Sequence, residues 1–280
     1  MNKRLVVITN GNYFARLLLK GLTCDPSLVV VGIVIVTGGY KGYGAFRTLW
    51  DMFWRTTTPY FLYKVWTLGI LAVVQQLLPW TILSVKGFAI DRKIPYLNVR
   101  VANSEEALAW VAALSPDLLI SISSPQRIGG KMLAIPKIGG INIHSSLLPR
   151  YAGLAPFFWV LAGGEKITGI TVHWMTEVFD AGNILLQKTL SINVGESAFS
   201  LFKRLANIGA DVLYQGVRKA CDGDEGEKQN LSNYTYHSLP KFQDYMRMRK
   251  HGHRLIRPGE LMGSIWNEIR RVDDTRKDRQ

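Results

Sequence analysis

The stretch Gly139-Gly-Ile-Asn-Ile-His-Ser-Ser-Leu-Leu-Pro-Arg-Tyr-Ala-Gly153 decides how this chain is read. Ile141 and Ile143 alternate with Asn142 and His144, which is the period of a β-strand, so the amide and the imidazole share one face. Ser145, Ser146 and Pro149 then break the pattern, which puts a loop at the strand's C-terminal end, the rim where open α/β sheets place their ligands.

Downstream, residues 169–175 alternate again and lead into Asp180-Ala-Gly182, a turn-forming triplet that presents a carboxylate beside that rim. Upstream, β-branched runs at 4–9, 28–36, 96–99 and 117–123 read as strands, with helical spacing at 13–22 and 104–114, a short helix at 130–134, and further helices at 156–161 and 199–217. Ser104 is the expected N-cap of the 104–114 helix, with Glu105 and Glu106 in its first turn. Strand, helix and strand in succession predict an α/β class with a mostly parallel sheet flanked by helices.

The chain has 280 residues, 48% of them apolar, enough for a large buried core. Cys24 and Cys221 form no framework of disulfides and no metal-ligand spacing, which points to a reducing, cytoplasmic compartment and to no metal. The apolar run after Arg4 is too short for a secretory signal and is read as the first strand. A formal charge of +13 fits nucleic acid, a membrane surface or anionic small molecules. No nucleic-acid module is present in the sequence, which weighs against the first. The basic residues after 241 are interleaved with Asp244, Glu260, Glu268 and Asp273, and predict a solvated helical face. The loop 9–13 is neither a GxGxxG fingerprint nor a Walker loop, so no nucleotide cofactor is expected there.

Together, Asn142-Ile-His144, Ser146-Leu-Leu-Pro149, Tyr151, Gly153, Pro156, Trp159, Gly164, Thr168-Gly169, Thr171, His173 and Asp180-Ala-Gly182 resemble the catalytic domain of the formyltetrahydrofolate-dependent formyltransferases. That family includes glycinamide ribonucleotide, methionyl-tRNA and amino-sugar N-formyltransferases. The likeness is dense over residues 115–217. It implies a Rossmann-like formyltransferase fold over 1–220, with 221–280 as a linker and C-terminal extension. The extension is short for the extra barrel domain of the methionyl-tRNA enzymes, which turns the expectation toward a small or lipid-linked amine, above all an amino sugar. The segment 233–240 is placed to fold back over the site.

The resemblance implies that Asn142, His144 and Asp180 are catalytic and that N10-formyltetrahydrofolate is the donor. Formyl transfer to an amine develops an anionic oxygen, for which Asn142 and His144 would supply donors. The amine must shed a proton, for which Asp180 is the carboxylate. The pterin would lie against the loops of Ser123, Ser124 and Gln126 and of Val178 and Gly182, with Ser146, Leu147 and Pro149 shaping the loop beside the formyl group. Arg150, Tyr151 and the 10–13 loop lie toward the acceptor. His173 matches a family position and is read as a supporting polar residue. A hydrolase passing the formyl group to water and an inactive membrane-associated scaffold of the same fold are the alternatives.

Residues 40–88 depart from the family. Phe46, Leu49, Trp50, Phe53 and Trp54 fall on one helical face, with Arg47, Asp51 and Arg55 off it. An uncharged run over 65–85 follows, between Lys64 and Lys86, with Trp66 and Trp80 near its ends and Gln75, Gln76 and Pro79 interrupting it. A hairpin dipping into one leaflet on the inner face of the membrane is expected of residues 44–86. The other readings are packing on the sheet and a homodimer interface.

Overall fold

The computed structural model describes residues 2–39, 42–77 and 84–277. The main sheet is built from β1 (Lys3–Thr9), β2 (Leu28–Val36), β3 (Tyr96–Val99), β4 (Leu118–Ile122) and β5 (Gly139–His144). After β6 (Ala152–Gly153), which stands apart, β7 (Ile167–Trp174) and β8 (Ile184–Ser191) complete it. Its order is β3-β2-β1-β4-β5-β7-β8. The first five strands are parallel to their neighbours, and β7 and β8 are antiparallel. The connections carry α1 (Tyr13–Leu19), then α2 (Ala45–Arg55), α3 (Thr58–Leu77) and α4 (Val85–Asp91) between β2 and β3. They continue with α5 (Glu105–Ala113), α6 (Gly130–Leu133), α7 (Pro156–Ala162) and α8 (Ala198–Cys221); a two-residue β9 (Tyr236–His237), α9 (Phe242–Lys250) and α10 (Glu260–Lys277) follow.

Alternation along the strands divides the core. Leu5, Val7, Ile33, Ile120 and Ile141 face the layer that includes α1, α7 and α8, while Val6, Ile8, Val34 and Leu119 face α5 and Met132. The chain winds outward from β1 in one direction and from β4 in the other, so the sheet's switch point lies between them. Ser104 caps α5 as its sequence predicts, its hydroxyl accepting from Ala107 N at 3.3 Å.

Two expectations are corrected. The segment after 241 is not merely solvated: Met248 of α9 and Leu261 of α10 are wholly buried, and Lys203 on α8 donates to Ser264 at 2.9 Å. β8 is an unforeseen strand, whose Gln187, Lys188 and Thr189 face solvent at the sheet edge and blur the apolar alternation.

The insertion combines two behaviours. α2 leaves Phe46, Trp50 and Trp54 exposed, whereas α3 buries Tyr60 and Tyr63 against the domain, with Tyr60 edge-on to Phe158 of α7 at 5.7 Å. The opposite side of α3 exposes Leu62, Val65, Trp66 and Leu68. The expected turn of a hairpin and Trp80 lie outside the described residues. Among the described residues no helix is long and apolar enough to cross a membrane.

Lys64 belongs to the docked side of α3. Its ammonium lies 5.7 Å from the ring centroids of Tyr60 and Phe157 and 5.8 Å from that of Tyr63, and burial pushes its pKa down to about 8. The unfolded chain keeps that proton to about pH 10.4. Unfolding therefore takes up a proton between the two values, and stability rises with pH across that window. Lys64→Met is expected to flatten the rise, as read from urea midpoints at pH 8 and pH 10. A rise as steep as in the wild type contradicts the burial of that ammonium.

Candidate active site

Strand pairing assembles the site. β5 and β7 place Asn142 opposite His173 and His144 opposite Thr171, so four polar side chains share one face at the strand ends. Asp180 arrives from the loop after β7. Its Oδ2 accepts the Gly153 backbone N–H at 2.9 Å and lies 3.5 Å from His144 Nδ1. Its Oδ1 accepts from Asn142 Nδ2 at 3.3 Å and lies 3.5 Å from His173 Nε2. Asn142 Nδ2 is also 3.1 Å from His173 Nε2. His173 Nδ1 donates to the Trp174 carbonyl at 2.8 Å, which turns Nε2 toward Asn142 and Asp180. His144 Nε2 donates to the Tyr151 carbonyl at 2.9 Å, which turns Nδ1 toward the carboxylate.

The Asp180 side chain is about nine-tenths buried. Burial alone would raise its pKa, but the charge of His144, the His173 bond and the Gly153 N–H together hold it well below the usual carboxylate range. The backbone is strained where it delivers these groups, with Asp180 at φ 51° and Tyr151 at φ 60°. Gly182 lets the loop close, since a Cβ there would stand 1.9 Å from the Trp174 carbonyl oxygen.

A second layer fixes the 145–149 loop. Thr171 donates to the Ser146 carbonyl at 2.7 Å and accepts Leu148 N at 3.2 Å, and Gln187 donates to Thr171 and to the Leu148 carbonyl, both at 2.9 Å. The 229–240 segment holds the remaining side. Gln229, buried, donates to the carbonyls of Asp180 at 2.9 Å and Gly182 at 2.6 Å, and Tyr234 donates to that of Phe179 at 3.0 Å. β9 pairs in parallel with β6, and the His237 ring stacks between Tyr151 and Trp159. The segment thus folds back onto the site loops, as its sequence position suggested.

The profile of the formyl transferase family matches residues 70–217, more than half of the chain. The chain belongs to the formyl transferase family. Methionyl-tRNA formyltransferase of Thermotoga maritima is 36% identical over 161 residues, covering 57% of this chain and 51% of that protein. The chain spans about half the length of the relatives it matches in this way. Among solved structures, phosphoribosylglycinamide formyltransferase from Anaplasma phagocytophilum superposes with a TM-score of 0.57 at 20% identity, over 85% of this chain and 100% of that one. The N-formyltransferase from Helicobacter canadensis, solved with folinic acid and dTDP-3-aminofucose, gives 0.53 at 17% identity, over 87% and 72%. These likenesses establish a Rossmann-like formyltransferase fold.

Within this formyl transferase, the residues singled out for the donor fall into two groups. Ser123, at φ 52°, and Ser124 line the loop after β4, and Val178 stands exposed on the loop before Asp180. Ser124 and the others are engaged by the protein itself, Ser124 donating to the Gln126 carbonyl at 2.8 Å. Gln126 accepts Ala102 N at 2.8 Å and donates to the carbonyls of Gly39 and Arg100 at 3.0 and 2.9 Å, tying three loops together. Ser146 donates inward to the Arg150 carbonyl at 2.9 Å, Leu147 fills the space left by Gly169, and the Pro149 carbonyl accepts Thr235 N at 3.3 Å. These residues shape loops. Of the residues expected toward the acceptor, Arg150 and the Tyr151 hydroxyl both bond Glu165, and Asn12 caps α1 through Ala15 N at 2.8 Å.

Sequence reasoning undervalued His173 and missed the parts played by Gly153, Gln187 and Gln229. His173 was findable, being two residues from Thr171 on an alternating strand. The other three act on or through backbone groups of distant segments, and nothing in their local sequence marks them for it. Among the described residues no cluster of His, Cys, Asp and Glu has the makings of a metal site.

The depressed pKa of Asp180 is a stability term. Its contribution is complete above about pH 4, where the unfolded carboxyl is also ionised, and is lost as pH falls toward the lower folded value. Asp180→Asn is expected to cost about 2 kcal/mol at pH 7, the scale of a buried charge-assisted bond. The difference in melting temperature from wild type should shrink below pH 4; a gap independent of pH rules out the ionised, paired carboxylate.

Proposed function

We propose that this chain transfers a formyl group from N10-formyltetrahydrofolate to the primary amine of a small or lipid-linked acceptor, an amino sugar above all. The observation that carries the reading is the convergence of Asn142, His144 and Asp180 at the C-terminal end of β5. At 3.5 Å, His144 Nδ1 and Asp180 are too far apart for a hydrogen bond, and the Asn142 contact to Asp180 is long at 3.3 Å. Both donors are free to exchange the carboxylate for an oxygen that becomes anionic beside them, where preorganised donors act most strongly. Asp180, held ionised, is the acceptor for the proton the amine sheds, directly or through one water. His173 acts through Asn142 and Asp180, orienting the amide rather than touching the formyl group. The solved neighbour that holds dTDP-3-aminofucose, an amino sugar carried on a nucleotide, supports the choice of acceptor.

His144→Ala and Asp180→Asn are each expected to lower formyl transfer by about 10²-fold or more while donor binding persists. The measurement is single-turnover transfer from N10-formyltetrahydrofolate to a panel of amino sugars, with free formate followed in parallel. Wild-type turnover in either variant overturns the role assigned to it, and rapid formate release indifferent to every amine favours hydrolysis.

The same proposal places the chain at a membrane surface without spanning it. α2 offers Phe46, 82% exposed, and Trp50, 57% exposed, and α3 adds the exposed Leu62, Val65 and Trp66, apolar side chains that a membrane surface would cover. Arg47 and Arg55 sit off the apolar face of α2, where anionic headgroups attract them. Because these side chains are exposed, Phe46→Ser with Trp50→Ser should leave the melting temperature within about 1 °C, consistent with the small effect of surface changes. Co-sedimentation with anionic liposomes should fall by about tenfold. If sedimentation velocity instead shows a wild-type dimer that the double variant lacks, the face is an interface between copies.

A further inference from the structure

The turn that carries Asp180 is held from a part of the chain outside the family match, which ends at residue 217. Residues 225–229 run alongside the chain that leaves this turn: Asn183 Nδ2 donates to the Glu225 carbonyl at 3.0 Å, and Ile184 and Glu227 exchange both backbone bonds at 2.8 Å. Gly226, at φ 72°, allows the approach, since a Cβ there would stand 2.8 Å from the Ile184 carbonyl oxygen. That pairing fixes where residue 229 falls. Its amide reaches the carbonyls of Asp180 and Gly182, and a little further on the Tyr234 hydroxyl takes that of Phe179. Side chains of one short segment thus bind three carbonyls of the 179–182 turn.

Two features show that these bonds resist a real tendency to relax. Asp180 stands at φ 51°, a conformation that persists only where the surroundings over-determine it. Gln229 is itself buried, and its Oε1 has no hydrogen-bond partner among the described residues. Turning the amide over would set that oxygen against two carbonyl oxygens, so Nε2 must face the turn. An unmade buried acceptor is a cost, and the two bonds to the turn offset it.

The carboxylate delivered by this turn is faced by Asn142 and His144 from β5, His173 from β7 and the Gly153 N–H from β6. Tyr234 faces it from the C-terminal segment, its hydroxyl pKa raised by burial and further by the charge of Asp180. All of these contacts depend on where the turn points.

We propose that Gln229, with Tyr234 beside it, is a positioning residue whose amide locks the 179–182 turn and keeps the Asp180 carboxylate among those groups. This role rests on the reading of amine formylation at Asp180 and extends the machinery of that site into the C-terminal segment. Without the amide the turn relaxes toward an ordinary backbone conformation and carries the carboxylate away from its donors. Asp180 then takes up a proton more readily, at a pH closer to the usual carboxylate range.

Gln229→Leu removes both bonds at nearly unchanged volume, and it is made in the wild type and on Asp180→Asn. Urea midpoints between pH 6 and pH 3 read the carboxylate without any substrate. The wild type should lose stability as pH falls below about 4, because the unfolded carboxyl takes up a proton there that folded Asp180 refuses. Gln229→Leu should make that loss shallower, and should leave the slope unchanged on Asp180→Asn. A merely structural bond would lower the midpoint equally at every pH in both backgrounds. Single-turnover transfer from N10-formyltetrahydrofolate to the panel of amino sugars should fall by about tenfold at pH 7, since a displaced proton acceptor slows the chemical step. The acid limb of its pH profile should move upward. A wild-type rate and acid limb in Gln229→Leu, or a loss of stability equal at every pH, overturns the role. If that variant does not fold, Tyr234→Phe, which removes a single bond, decides alone: an acid limb moved upward supports the role and an unmoved limb overturns it. If the wild type formylates no amine, the formyl-transfer reading fails, and the substrate-free urea series still decides whether Gln229 holds Asp180.

Discussion

A carboxylate taken out of water must be met by donors or opposite charge, or it will take up a proton instead. Asp180 is met by four groups from three places in the chain: Asn142 and His144 on β5, His173 on β7, and the backbone of Gly153. Much of the local architecture follows from that need. The antiparallel pairing of β5 and β7 sets the amide against one imidazole, and the strained residues at 151 and 180 turn a carbonyl and a carboxylate toward the other. Backbone strain of this kind persists only where surrounding bonds over-determine it. Gln229, Thr171 and Gln187 are those bonds.

The parts of this arrangement that were legible in the sequence are those that obey a local period. Asn142 and His144 declare a shared face by spacing alone, and β2 and β3 begin and end where their apolar runs do. Asp180 was legible only as a turn residue until the family likeness gave it a role. His173 follows the same two-residue period as Asn142, but a lone histidine on an alternating strand looks the same whether it supports or merely fills. β8 escaped because an edge strand has one solvated face and few apolar residues to repeat. Gln229 escaped because its partners are carbonyls some fifty positions away, and a glutamine in a polar linker carries no pattern at all.

The insertion divides along a helical stripe in the same way. An aromatic helix in isolation reads as membrane-seeking, yet Tyr60 and Tyr63 point inward and Trp66 outward, so α3 is at once part of the core and part of the surface. Residue spacing conveys the amphipathic character of α2 correctly, because α2 has one apolar face and leaves it open. It could not rank the faces of α3, where apolar residues occur all round. The family match begins at residue 70, inside α3, so α2 and the docked Tyr60 and Tyr63 lie outside it although they are packed with the domain.

The run from 229 to 240 gives these pieces a common support. It bonds in turn the Asp180 loop through Gln229, the 149–153 loop through Thr235 and β9, α7 through the Ser238 carbonyl, and the start of α3 through the Pro240 carbonyl. Each bond is a modest net contribution of about 1 kcal/mol. Their effect lies in sequence: one continuous segment touches the carboxylate loop at one end and the insertion at the other, with His237 wedged between Tyr151 and Trp159 along the way. A segment bonded along its whole length cannot shift at one end without drawing on the bonds of the next. The insertion is therefore mechanically joined to the loop that carries Asp180, although the two are separated in the chain by the whole of the sheet's centre. Excising residues 44–86 would strip the Pro240 carbonyl of both its donors and uncover Phe158, so the insertion and the site loops are parts of one packed unit and not a domain with a removable anchor.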